Sequence, residues 1–168
     1  MVHQHFKLVE SMTAMENIVA GTGRGLRLDR QQARERIRAF SRRFEMGLDP
    51  DKRVHDMSVG EKQTVEILKV LYRGADILVL DEPTAVLTPQ EIGRLFGILR
   101  LMRQEGHSVI FISHKLNEVM SLCDRVTVLR RGETVGTVAV ADCTTSRLVE
   151  MMVGRVVDLS IDRPRVQS

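Results

Sequence analysis

Ile77-Leu78-Val79-Leu80-Asp81-Glu82 decides the fold. Four consecutive apolar residues bounded by charge predict a strand buried on both faces, as in parallel sheets covered by helices. Two adjacent carboxylates then fall at the C-terminal edge of that sheet, where open α/β sheets bind ligands. Downstream, the pattern predicts a helix from Pro89 to about Glu105, with proline at a favoured first-turn position. Ser108-Val109-Ile110-Phe111-Ile112-Ser113 follows as a second strand expected to be buried on both faces. Strand, helix and strand together read as a βαβ unit with a parallel sheet and a right-handed crossover. Further on come a short helix from Lys115 to about Leu122, a hairpin and a last helix over about Ser146 to Met152. The hairpin pairs Val126–Leu129 with Thr134–Val138 around Arg131-Gly132-Glu133. Residues 154–168 lose periodicity and read as a linker or tail.

Upstream of residue 76 the rhythm is helical. Met1 to Gln4 looks like a strand end. Thr13 and Glu16 form a capping box for a short helix closed by Gly21. Asp29 caps an arginine-rich helix ending at Gly47, with Ala33, Ile37, Phe40 and Phe44 facing inward. After a loop over 48–57, Ser58 caps a helix that buries Val65, Leu68, Leu71 and Tyr72 and stops at Gly74. Composition agrees with one globular domain: 168 residues, 43% apolar and 28% charged, with a net charge of +3. No apolar run reaches the length of a membrane span, and the N-terminus has no signal-peptide core. Cys123 and Cys143 sit in no metal or redox spacing and read as reduced cytosolic thiols. With no Trp and a single tyrosine, Tyr72, a base-stacking RNA surface is disfavoured. Eight arginines between Arg24 and Arg43 could form an anion patch; the inward spacing of the apolar residues favours a solvated helix face instead.

Three elements carry chemistry. Asp81 and Glu82 resemble the pair at a strand end of P-loop ATPases, where the first carboxylate reaches Mg²⁺ and the second can orient and deprotonate the attacking water. Ser58-Val59-Gly60-Glu61 opens a helix with small residues that expose backbone N–H groups, an anion site through its free amides and dipole. His114 follows the second strand and can contact a phosphate or hold a water. Each alone has a plain structural reading: an acidic turn, a serine N-cap, a turn histidine. Their shared order and spacing argue against coincidence.

At this point the sequence resembles the ATP-binding-cassette (ABC) ATPases over nearly its whole length. Met57-Ser58-Val59-Gly60-Glu61-Lys62-Gln63 looks like their signature motif, and Ile77–Glu82 like Walker B. Ala85-Val86-Leu87-Thr88 looks like the D-loop, Ser113-His114 like the switch loop, and Gln4 like the Q-loop glutamine. The resemblance implies an α/β fold: a partial P-loop NTPase-like (RecA-like) core carrying the ABC α-helical subdomain. It implies ATP and Mg²⁺ as ligands, Gln4 and Asp81 on the metal, Glu82 as general base and His114 on the γ-phosphate. Ser58, Val59, Gly60, Glu61 and Thr88 would contact nucleotide, with Ser58 and Gly60 reaching the nucleotide held by an opposite cassette. The finer likeness is to the first of two cassettes in importers of simple sugars and nucleosides. It rests on Val65–Lys69, Tyr72–Ala75, Glu82–Glu91, His5–Val9 and Glu16–Val19.

The implied organisation is a partial ATPase domain over 1–153, with a helical subdomain over about 8–74 and a core half over about 75–153, then a linker over 154–168. Implied partners are transmembrane permease subunits, a second cassette and, indirectly, a solute-binding protein, at the cytoplasmic face of the membrane. Phe6, Leu8, Met12 and Met15 are candidate permease contacts, or else core residues. No specific nucleic-acid binding is expected. The sequence departs from the family in three places. No G-x-x-x-x-G-K-[ST] occurs, so the chain reads as truncated before the Q-loop and incompetent for hydrolysis alone. Met57, Lys62 and Thr64 are unusual in the signature helix, and Thr88 stands at the D-loop aspartate position, which suggests unequal sites. Two alternatives are a non-catalytic interaction module and a soluble cassette protein acting on nucleic acid or ribosomes.

Overall fold

The computed structural model describes residue 2, residues 6–22 and residues 29–154. The chain divides into two compact units, Met1–His114 and Lys115–Ser168.

The first unit begins with helices. α1 (Ala14–Val19) opens with the expected capping box, Thr13 Oγ1 accepting from the Glu16 amide and the Glu16 carboxylate from the Thr13 amide. Asn17, 2% exposed, ties α1 to the preceding segment: it accepts from Val9 N at 2.7 Å and donates to the Val9 and Thr13 carbonyls at 3.0 Å each. α2 (Arg30–Arg43) is capped by Asp29 and buries Ala33, Ile37 and Ser41, and Phe44 is buried just beyond it. Phe40, expected inward, is half-buried and stacks on Phe44. α3 (Val59–Tyr72) is capped by Ser58 and ended by Gly74, whose φ of 77° is the left-handed stop glycine tolerates best. Its buried face carries Val65, Leu68 and Leu71, as the spacing predicts, while Tyr72, expected with them, is half-buried at the end of the helix. Met15 is 1% exposed and belongs to the core, which removes it from the candidate surface contacts; Met12 is exposed, and Phe6 and Leu8 are half-buried.

β1 (Ile77–Asp81), α4 (Pro89–Gln104) and β2 (Ser108–Ile112) form the expected parallel βαβ unit, with Leu78 opposite Val109 and Leu80 opposite Phe111. Val2 adds a parallel bridge at Leu80, so β1 lies between Val2 and β2. The expectation that both strands are buried on both faces needs correction. Leu78 and Leu80 are buried, and Phe111 stacks edge-on against Phe96 of α4 at 6.0 Å. The other face is open among the described residues: Ile77, Ile110 and Ile112 are 57%, 52% and 45% exposed. A continuous apolar run signals two covered faces only where two layers pack on the sheet, and here α4 supplies one.

The second unit holds α5 (Leu116–Leu122), the antiparallel hairpin β3 (Arg125–Arg130) and β4 (Glu133–Ala139), and α6 (Thr145–Val153). α6 packs on the hairpin through Leu148, fully buried, and Val128 is also buried. At Gly136 a β-carbon would stand 3.2 Å from the Met151 methyl, so a larger residue there would require that side chain to shift by a few tenths of an ångström. Among the described residues, no helix of either unit is long and apolar enough to cross a membrane.

Candidate functional site

Asp81 closes β1, half-buried on the open face of the sheet, its amide donating to Val2 O at 3.3 Å. Glu82 leaves the sheet with φ 46°, a left-handed conformation uncommon outside glycine. Such strain is held only where surroundings over-determine it. Here the Glu82 amide donates to Ile112 O at 3.0 Å, and Ala85 N donates to Glu82 O at 3.2 Å. That turn brings the carboxylate to His114, with Oε1 2.8 Å from Nδ1. Nδ1 is the ring nitrogen that faces the carboxylate, and it donates there in the tautomer that carries its proton. The His114 side chain is 72% exposed, while Glu82 is 22% exposed and its Oε2 is buried with no hydrogen-bond partner. Buried carboxylate oxygens are normally satisfied, so a free one marks a position for a ligand or water.

The second cluster lies at the start of α3. Ser58 Oγ accepts from Glu61 N at 3.2 Å, and the Glu61 carboxylate accepts from Ser58 N at 2.7 Å and from Lys52 Nζ at 2.7 and 2.9 Å. Burial works against charge on Glu61, yet the Lys52 and Ser58 bonds leave its carboxyl below its ordinary value. Glu61 is therefore engaged within its own chain, and Val59 is exposed in the first turn. Thr88 caps α4, its Oγ1 accepting from Glu91 N at 3.3 Å.

One residue that sequence reasoning left unassigned joins these elements. Glu91 Oε1 accepts from Ser58 Oγ at 3.1 Å and from Gly60 N at 3.0 Å. Its Oε2 accepts from Thr88 N at 2.9 Å and Thr88 Oγ1 at 3.0 Å. The Thr88 amide foremost, then Gly60 and the two hydroxyls, hold this carboxyl below its ordinary value despite partial desolvation. Thr88-Pro89-Gln90-Glu91 announces a capping box, but nothing in it shows that the same carboxylate reaches a helix 31 residues away.

The structure thus gathers the predicted residues into two groups, Asp81–Glu82–His114 and Ser58–Gly60–Thr88. Gln4, expected to join the first, lies outside the described residues. Five arginines of the stretch have partners within the chain: Arg34 and Arg38 pair with Asp51, Arg43 with Glu105, Arg30 with Glu16, and Arg36 stacks on Tyr72 and Phe40. Among the described residues no cluster of three or more His, Cys, Asp or Glu could hold a metal by itself.

A parallel αβ core ending in paired carboxylates, with an amide-rich helix start and a histidine tied to the second carboxylate, defines a nucleotide-triphosphatase architecture. Residues 1–85, half of the chain, match the ABC transporter family, and the chain belongs to that family. It is 48% identical over 169 residues to the nucleoside import ATP-binding protein NupA of Lactococcus lactis, covering 99% of this chain and 33% of that protein. The guanosine import ATP-binding protein NupO of Bacillus subtilis is 46% identical, with the same coverage. A ribose import ATP-binding protein of Burkholderia thailandensis is 45% identical over 95% of this chain and 32% of its own length. The chain spans about a third of the length of these relatives. Among solved structures, cbiO1 from Clostridium perfringens, part of an ABC transporter complex, aligns with a TM-score of 0.69 at 26% identity, over 83% of this chain and 55% of that one. A putative metal-chelate type ABC transporter in an inward-facing conformation aligns with a TM-score of 0.76 over 90% of this chain and 61% of that one. At 15% identity it bears on the fold alone.

Proposed function

We propose that this chain provides the signature loop, the catalytic carboxylate and the switch histidine of an ATPase that energises an importer of nucleosides or simple sugars. The observation that carries the reading is the Glu82–His114 pair. One carboxylate oxygen is held by the imidazole at 2.8 Å and the other is buried and free. A carboxylate fixed by one oxygen presents the other in a single orientation, as a group that accepts a proton from an attacking water must be presented. With Nδ1 turned to Glu82, exposed His114 leaves Nε2 on the solvent side, where the protonated ring would donate to a phosphate oxygen.

Mg²⁺ fits the residues present. Asp81 offers a hard carboxylate oxygen at the sheet edge, and Mg²⁺ is usually held by one or two carboxylates with the remaining positions on phosphate and water. Gln4 is the second proposed ligand. When bound, the ion would neutralise charge on the transferring phosphoryl group. A triphosphate needs more than this cluster, because the amide cradle and lysine of a G-x-x-x-x-G-K-[ST] loop are not among these 168 residues. The separate grouping of Ser58 and Gly60 suits a loop that reaches nucleotide held by a second cassette. Division into a helical subdomain over about 8–74, a core half over about 75–153 and a linker over 154–168 belongs to the same reading. So do permease partners, an indirect link to a solute-binding protein and a place on the cytoplasmic face of the membrane.

The test is a chimera in which residues 1–168 replace the aligned segment of the Lactococcus lactis relative, its second cassette disabled at the corresponding glutamate. Glu82→Gln is expected to lower Mg-ATPase turnover by about 100-fold or more, with ATP binding retained. Near-normal turnover would remove Glu82 from the role of base.

A further inference from the structure

The start of α3 is not an open anion site in this structure. Its Gly60 amide and Ser58 hydroxyl already hold an anion, the Glu91 carboxylate, at 3.0 and 3.1 Å. Contact is close enough that a β-carbon on residue 60 would stand 2.6 Å from Glu91 Oε1. The same carboxylate is anchored by its other oxygen to Thr88, so two donors at the loop and two at the start of α4 hold it.

A second observation shows that Glu91 does not complete the place it occupies. Ser58, Gly60, Gln63, Glu91 and Arg94 line one cavity. Gln63 is 4% exposed, and its amide nitrogen is buried with no acceptor. A buried N–H₂ without a partner is uncommon and destabilising, by about 1–3 kcal/mol. A carboxylate has two oxygens, and Glu91 commits both elsewhere. A tetrahedral phosphate has more acceptor oxygens than a carboxylate and could serve the Ser58 hydroxyl, the Gly60 amide and the Gln63 amide together. Arg94, also in the lining, adds a cation to the cavity.

We propose that Glu91 is a tethered stand-in for phosphate. It occupies the signature loop while no nucleotide is presented and must swing off Ser58 and Gly60 before a phosphate group is seated there, with Gln63 completing the site. This rests on the reading of the loop as a phosphate site. The tether remains in the seated state, because Thr88 still holds Oε2 as the α4 cap. Glu91 therefore sets the threshold for phosphate binding at this loop, and through Thr88 it links that loop to the start of α4. Neither Ser58 nor Gly60 alone could do this, since both are donors in either state.

The experiment is ¹⁵N–¹H NMR of the chain titrated with inorganic tripolyphosphate at fixed ionic strength, following the Gly60 amide and the Gln63 side-chain amide. Glu91→Gln keeps the length of the side chain and removes its charge. Glu91→Asp keeps the charge and shortens the reach below that needed for Gly60. Both are expected to bind at least about tenfold tighter than the parent chain, read at Gly60, with the Gln63 amide shifting in parallel. Glu105→Gln, the same charge change beside Arg43, is expected to leave the affinity unchanged. Equal affinity in the parent and both Glu91 variants, with Gly60 responding in each, overturns the gate and leaves the loop as a phosphate site. No response at Gly60 in any variant overturns both the gate and the phosphate reading beneath it. An equal gain in Glu105→Gln overturns the gate by reducing the effect to net charge.

Discussion

Gly60→Ala puts the Glu91 contact under direct mechanical test. The new β-carbon would meet Glu91 at Oε1, Cγ and Cδ, 2.6, 2.8 and 2.9 Å away. These distances lie below ordinary contact, and the obstacle is a flexible side chain, so the carboxylate leaves rather than the backbone shifting. Two hydrogen bonds go with it, from Ser58 Oγ and Gly60 N. Charge-assisted bonds contribute about 1.5–3 kcal/mol each when buried. Glu91 is only half-buried, and its released partners regain water, so about 1–2 kcal/mol for the pair is the appropriate scale. Alanine recovers about 0.5–1 kcal/mol of helix propensity over glycine. The net loss is then about 0–1.5 kcal/mol, a melting temperature lower by up to about 5 °C for a chain of this size. In a Glu91→Ala background the obstacle is gone and both bonds are already lost, so Gly60→Ala becomes neutral or stabilising there. Thermal unfolding of the four proteins of this cycle, followed by circular dichroism, measures the coupling, expected at about 1–2 kcal/mol. An additive cycle refutes the reasoning, since it would mean that residue 60 does not sense Glu91.

Two further outcomes follow from the same physics. Three capping-box carboxylates, Glu16, Glu61 and Glu91, sit below their ordinary value of 4.5, so their contribution is complete above that pH and is lost as pH falls through their lowered folded values. Stability measured by urea unfolding should be flat from pH 7 to about 5.5 and decline below about pH 5, and the decline should be shallower in Glu91→Gln. Asn17→Ala removes the clamp on Val9 and Thr13. It should lower stability by about 1–3 kcal/mol and speed hydrogen exchange at the Val9 amide, whereas unchanged exchange would show that the segment before α1 is held by other contacts.

How much of this molecule was legible in its residues depends on range. The caps at Thr13, Asp29 and Ser58 are local hydrogen bonds within three residues, so their sequence signatures name them directly. The βαβ order was equally legible, because a continuous apolar run between charges followed by a proline-started helix admits few other folds. Asp81, Glu82 and His114 could be picked out by type and order. Tertiary structure decided the rest. That Glu82 bonds His114 depends on the pairing of β1 with β2, which places residue 82 beside Ile112. That one face of the sheet stays open depends on how many layers pack against it, which Ile110 and Ile112 do not announce, since their apolar character is the same whether covered or exposed. And the Glu91 carboxylate carries two roles, one three residues from its cap partner and one 31 residues from Gly60. Sequence signals the first because helix geometry repeats locally; the second exists only once α3 and α4 lie side by side.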